Sequence, residues 1–251
     1  MSKPDYSVPA LEKGLSILEF MAGQTESFSI ADLAKALDRS KTEIYRTLIT
    51  LENRGYIQRA AADGRYEMTG LLFDLGMRHP PRRQLIDVAL PHMYALSRAI
   101  GQSCHLSVFS GDAVVVVART QAEAAVGLNV QPGFRAPLPY STSGRLLYAY
   151  QTRHQQAIWL NMLRKDRAER PLVRAFLDDV RTALRQGYLV QASSMTTGIT
   201  NIAVPVLQAR TGLAVASLAV PFVVQRLAPA RIEDALPRVQ AAAKAIGEEM
   251  G

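Results

Sequence analysis

The N-terminal quarter of the chain carries three apolar stripes at helical spacing, followed by two short segments of strand character. From Ala10 to Met21, Leu11, Leu15, Leu18 and Met21 recur every three or four positions, which predicts an amphipathic helix with one face turned inward. After the breaker stretch AGQTESF, Ser29 is placed to cap the segment IADLAKALD, where Ile30, Leu33, Ala34 and Leu37 make a second stripe. Asp38, Arg39 and Ser40 form a tight connection. Ser40 and Glu43 then stand at capping-box spacing at the head of KTEIYRTLITLENRG, a third helix that ends at Gly55. Its inward positions are Ile44, Leu48 and Leu51, leaving Lys41, Thr42, Tyr45, Arg46 and Ile49 toward the outside. YIQRA and RYEMT follow as strands joined at the Asp63-Gly64 turn signal.

Further along, Gly70 to Arg78 reads as a short amphipathic helix with Leu71, Leu72 and Leu75 on one side, stopped by Pro80-Pro81. QLIDVALPHMYALSRAIG reads as helical despite Pro91. The segments SCHLSVFS, DAVVVVART and AAVGLNVQ then have strand character. Helices are expected near Ser143 to Tyr150, His154 to Leu163 and Leu172 to Gln186. TNIAVPVL and LAVASLAV flank a turn at Thr211-Gly212, and Pro229 to Met250 closes as a helix. Strands, then helices, then strands predict an α+β domain on one antiparallel sheet. The expected division is residues 1–70, a linker helix over 71–84, and residues 85–251.

Three short helices with a tight turn between the second and third, then a hairpin, is the layout of a winged helix-turn-helix. Such a unit presents the start of its third helix to the major groove of double-stranded DNA. Ser40, Lys41, Thr42, Tyr45 and Arg46 are therefore candidate contacts, Arg46 through phosphate or a guanine edge. Arg59 and Arg65, on the two arms of the wing, suit phosphates. Net charge is a weaker guide. The chain carries +7, yet residues 1–70 hold 9 Lys and Arg against 10 Asp and Glu, and only the stretch from Arg39 to Arg65 has a local excess, of +3.

Composition narrows the remaining classes. A hydrophobic fraction of 48% supports packed cores and excludes a disordered chain. No apolar run reaches the roughly 18 residues of a membrane helix, and MSKPDYSVPA lacks the features of a signal peptide, so a cytoplasmic location without membrane contact is expected. The single cysteine, Cys104, excludes an internal disulfide, and one Cys with four His gives no zinc-ligand spacing. Neither metal nor cofactor is expected. No nucleophile elbow, Walker loop, dinucleotide fingerprint or paired carboxylates occur. A metabolite-binding or enzymatic domain tethered to a DNA-binding head is the alternative this leaves open.

In the larger domain, PLPYSTSGRLLY places Ser141, Thr142 and Ser143 ahead of a helix, where hydroxyls and unpaired N–H groups can receive a carboxylate or phosphate. A serine there is more often only a cap. Asn201 in an apolar strand needs a polar partner, which is more often backbone than ligand, and His105 reads as a structural histidine. The basic run Arg164 to Arg170, interrupted by Asp166 and Glu169, reads as a solvated loop.

Taken together, SVPALEKGLSILEFM, IADLAKAL, IYRTLITLENRGYIQR and GRYEMT strongly resemble the DNA-binding half of IclR-type transcriptional regulators. LIDVALPHMYALSRAIGQSCHLSVF, PLPYSTSGRLLYAY and GITNIAVPVLQARTGLAVASLAV resemble that family's effector-binding domain, so the likeness covers almost the whole chain. The resemblance implies a winged helix-turn-helix, a linker helix and a GAF-like effector domain, assembled as a homodimer or dimer of dimers on a palindromic operator. It implies a small organic or aromatic acid as effector. Carried over by position, Thr142, Ser143, Gly144, Gln191 and Asn201 would line the pocket, with Leu128 and Ala219 as apolar walls. Two departures stand out: Glu43 where the family commonly has a small or hydroxyl residue, and QASSMTTG where it usually has an acidic stretch.

Overall fold

The computed structural model describes residues 8–24, 26–60, 63–77, 80–111, 113–122, 127–163, 170–224 and 231–251. Its contacts separate two units, residues 1–82 and 83–251.

In the first unit, helices α1 (Pro9–Ala22), α2 (Ile30–Ala36) and α3 (Lys41–Asn53) precede a hairpin of β1 (Ile57–Arg59) and β2 (Tyr66–Met68). Ile17, Leu18, Met21, Leu33, Ile44, Leu48, Ile57 and Tyr66 form its core. Phe28 bridges to Tyr66, tying the entry of α2 to the wing. The stripe expected on the first helix needs correction: Leu11 and Leu15 are exposed at 59% and 48%, and the packed side is Gly14, Ile17, Leu18 and Met21. The helix has apolar residues on two faces, and the unit's core covers one. Helix α4 (Leu71–Met77) leaves Leu72, Phe73 and Leu75 exposed. Pro80 and Pro81, expected to stop a helix, instead open α5 (Pro80–Ile100), since the first helical turn needs no N–H donors.

In the second unit, β3 (Cys104–Ser110), β4 (Ala113–Thr120), β5 (Arg135–Pro137), β6 (Leu189–Ala192), β7 (Thr200–Leu207) and β8 (Ala214–Phe222) form one antiparallel sheet in the order β5-β4-β3-β8-β7-β6. One face is sealed by α5 and by α9 (Ile232–Glu249). There Leu85, Ala89, Met93, Val239 and Ile246 meet Leu106, Ile202, Val204, Leu218 and Val220. The other face is covered by a 3-10 turn (Leu138–Tyr140), α6 (Thr142–Ala149), α7 (Arg153–Leu163) and α8 (Arg170–Gln186), with Leu138, Leu146, Phe176 and Val180 packed on Ala203 and Ala219. Trp159 of α7 stacks on Phe109 with centroids 3.7 Å apart. The basic run at 164–170 lies almost wholly outside the described residues.

AAVGLNVQ departs from expectation: residues 127–131 form no strand. The edge of β4 is taken instead by β5, and Val116 exchanges hydrogen bonds with Gly133 and Phe134 at 2.8 and 3.0 Å, so the preceding segment has no ladder to join. Among the described residues no helix is long and apolar enough to cross a membrane, and no group of His, Cys, Asp or Glu could hold a metal.

Gly247 of α9 is where helix and sheet come closest, because a Cβ there would overlap the Leu207 carbonyl of β7. The obstacle is backbone, which cannot rotate away. Gly247→Ala is expected to destabilise the second unit by about 1–3 kcal/mol, measured as an earlier thermal transition in the fluorescence of Trp159.

Candidate functional site

Two places collect the candidate residues, one in each unit. In the first unit, α3 is fixed at its start by a reciprocal capping box. Ser40 Oγ accepts from the Glu43 N–H at 3.3 Å, and Glu43 Oε2 accepts from the Ser40 N–H at 3.0 Å and its hydroxyl at 2.9 Å. These bonds, more than Lys13 and Arg39 nearby, hold the Glu43 carboxyl below its usual range. Its departure from the family pattern thus has a structural use. Helix α2 repeats the device with Ser29 and Asp32.

With Ile44, Leu48 and Leu51 buried, Lys41, Thr42, Tyr45 and Arg46 are all exposed. They share one shallow concavity with Ser29, Ile30 and Ala31 at the start of α2. The wing arginines are differently placed. Arg59 Nε pairs with Glu52 at 3.2 Å and its guanidinium lies 5.0 Å from the Tyr66 ring centre. Arg65 donates to the Ser27 carbonyl at 3.0 Å and to Asp32 at 2.7 Å. Both are engaged within the unit, a commitment no sequence spacing announced.

In the second unit a cavity of about 300 Å³ lies on the α6 side of the sheet. Its walls come from β3 (His105, Ser107), β4 (Val114, Val116), β7 (Asn201) and β8 (Ala219, Pro221), from the start of α6 (Thr142, Ser143), and from the loops holding Leu128, Asn129, Phe134, Ser193 and Met195. Strand register brings them together: His105 faces Ala219, Ser107 faces Ser217, and Asn201 faces Pro221, all on one side of the sheet. No Asp, Glu, Lys or Arg is among the described lining residues.

Of the residues carried over by resemblance, Leu128, Thr142, Ser143, Asn201 and Ala219 line this cavity, while Gly144 and Gln191 do not. Gly144 is the close approach of α6 to the 3-10 turn, where a Cβ would overlap the Leu138 carbonyl, and its N–H is bonded to Ser141 Oγ. Gln191, opposite Asn201 in register, is drawn away into a polar triangle: it accepts from Arg145 at 2.8 Å and donates to Asp179 at 2.7 Å, while Arg145 Nε lies 3.2 Å from Asp179. QASSMTTG is part of the cavity, through Ser193, Met195 and Thr196.

His105, read from the sequence as a structural histidine, lies on the wall, and Asn129 is among the lining residues that the sequence did not single out. A lone polar residue in a strand and an Asn in a loop carry no local signal; only register and loop path put them on the wall. His105 Nδ1 is sealed without a hydrogen-bond partner, and burial pushes the ring's pKa down to about 4.

The chain matches the bacterial transcriptional regulator IclR C-terminal domain over residues 80–248 and the IclR helix-turn-helix domain over residues 10–61. It belongs to the IclR family. Among its relatives, the HTH-type transcriptional regulator KdgR of Escherichia coli is 29% identical, covering 99% of this chain and 95% of that protein. The HTH-type transcriptional repressor AllR of Salmonella typhi is 24% identical, over 96% and 90%. An IclR homolog from Microbacterium hydrocarbonoxydans, solved with 4-hydroxybenzoate, has the same fold with a TM-score of 0.79 at 21% identity, over 96% of this chain and 98% of that one. As an IclR-family protein, this chain is a transcriptional regulator that binds DNA through its helix-turn-helix and a small molecule through its C-terminal domain.

The neutral, buried His105 makes stability pH-dependent. A histidine titrates near 6.5 when unfolded and here near 4, so between those values the unfolded chain binds the extra proton. Its contribution is complete above pH 6.5 and is lost as pH falls toward 4, by up to roughly 3 kcal/mol. Denaturant melts of wild type and His105→Phe at pH 4.5 and pH 7 are expected to differ in slope with pH by about that amount.

Proposed function

We infer that this IclR-family chain is a cytoplasmic, homo-oligomeric transcription factor whose operator affinity is set by a small organic acid held in the cavity of its second unit. The cavity itself carries this reading. It is of ligand size, apolar over most of its wall, and furnished with a few convergent polar groups at Thr142, Ser143, Asn201 and His105. The 4-hydroxybenzoate complex of the structural relative supports an acid as ligand.

Ser40, Lys41, Thr42, Tyr45 and Arg46 would meet the operator's major groove, the last two by reaching base edges or phosphate. Arg59 and Arg65 would reach the backbone only by leaving their present partners. Residues 71–84, expected as one linker helix but divided between α4 and the first turn of α5, would act as the linker between a DNA-binding domain, 1–70, and an effector domain, 85–251. The exposed Val8 at the start of α1, Leu11 and Leu15 within it, and Leu72, Phe73 and Leu75 of α4 supply apolar surface suited to a second copy of the chain. A receptor is a better account of the cavity than an enzyme, because among the described residues His105 hydrogen-bonds no hydroxyl it could activate as a base.

Linkage supplies the mechanism: an acid that binds one arrangement of the oligomer more tightly shifts the population, and with it operator affinity. Footprinting on the DNA beside the protein's own coding region, with and without small acids, tests both halves. Arg46→Ala is expected to weaken operator binding by about 1–3 kcal/mol. Leu128→Trp, which fills the cavity from its loop side, is expected to abolish the response to acids. An unchanged footprint in the first variant, or an unchanged response in the second, would remove the corresponding role.

A further inference from the structure

Resting on the reading of the cavity as the effector site, the protonation of its wall can be worked out from which atoms are sealed. A neutral imidazole carries one proton. On His105 it could sit on Nδ1, which is buried without an acceptor, or on Nε2. A sealed N–H with nothing to receive it is rarer and costlier than a sealed lone pair. The proton therefore sits on Nε2, and the ring meets the cavity as a donor. The same reasoning fixes Asn129. Its Oδ1 is the sealed, unpartnered atom, so the Nδ2 amine is the end left for a ligand; turning the amide over would seal two donors in place of one acceptor.

The helix start adds donors of the same kind. Ser141 Oγ satisfies the N–H of Gly144, leaving the N–H groups and hydroxyls of Thr142 and Ser143 on the wall. With no Lys, Arg, Asp or Glu among the described lining residues, the wall is neutral: an imidazole, amides and hydroxyls set in apolar surface.

We propose that His105 and Asn129 are specificity-determining residues of the effector site, donating from Nε2 and Nδ2 to the oxygens of a small carboxylate that is held without an ion pair. Neutral, preorganised donors stabilise an anion without burying a counter-charge that would itself have to be desolvated. An ammonium ligand finds no carboxylate on the described wall to offset the cost of burying its charge.

The test uses the full-length protein and, as probes, benzoate, 4-hydroxybenzoate, pyruvate and the cation benzylammonium. Nitrogen-15 NMR of the ligand-free protein should show His105 as the Nε2–H tautomer at neutral pH. Calorimetry should show at least one carboxylate binding, no binding of benzylammonium, and about tenfold or greater weakening in both His105→Phe and Asn129→Leu. His105→Gln, which keeps an N–H donor at similar reach, should recover most of the loss. An Nδ1–H or doubly protonated His105, equal carboxylate affinity in the Phe and Leu variants, or no carboxylate binding at millimolar concentration overturns the proposal. Leu128→Trp separates the two levels: if it leaves carboxylate affinity intact, the cavity is not the effector site. If it blocks binding while His105 and Asn129 variants do not, only their assigned role fails.

Discussion

A strand shielded on both faces must be apolar on both, and the central strands β3 and β8 satisfy that condition on one side only. Toward α5 and α9 they present Cys104, Leu106, Val108, Ala216, Leu218, Val220 and Phe222, an unbroken apolar layer. Toward α6 they present His105, Ser107, Ser217, Ala219 and Pro221. Small and polar side chains cannot fill the space beneath a helix, so the layer stays open where they cluster and closes where Leu138, Leu146 and Phe176 meet Ala203. The cavity is the outcome of that alternation: register sets which residues share its floor, and side-chain size sets its depth.

Charge is kept off that floor by being satisfied beside it. Arg145 of α6 is not among the lining residues, and its guanidinium is held by Asp179 of α8, Gln191 of β6 and the Pro139 carbonyl of the 3-10 turn. A buried cation with fewer partners would seek an anion in the cavity; with these it has none to seek. The same network ties the turn that leads into Ser141, Thr142 and Ser143 to two other elements, so the donors at the helix start are fixed in place before any ligand arrives.

Much of the fold was legible because its determinants are local. The Ser29 cap of α2, the capping box of α3, the Asp63-Gly64 turn and the long strands β7 and β8 each depend on a few neighbouring residues. What escaped depends on partners distant in sequence. Leu11 and Leu15 have the right spacing for a core face, yet a stripe says only that a face is apolar, not that something in the same unit covers it. Residues 127–131 have strand composition but no free ladder. Thr142, Ser143 and Asn201 stood out by their own chemistry and again by family resemblance, whereas Gly144 and Gln191, suggested by the resemblance alone, serve packing and the Arg145 network. His105 and Asn129 could be placed only once β-register and loop path were known.

The electrostatics of the first unit bear on how such a protein can find one operator among many sequences. Backbone affinity grows with the number of phosphates neutralised, and that part of binding carries no sequence information. Here several cations are already committed: Lys13 and Arg39 lie near Glu43, Arg59 pairs with Glu52, and Arg65 with Asp32. On the outward face of α3, Lys41 and Arg46 form no ion pair among the described residues. On the proposed groove contacts, a single head would draw its sequence-specific affinity from the fit of Thr42, Tyr45 and Arg46. Two weak heads joined at a suitable spacing gain affinity through effective concentration, and lose it when the spacing is wrong. In the proposed oligomer, binding would therefore be sensitive to the geometry of the heads, which is the quantity an effector-bound domain would alter.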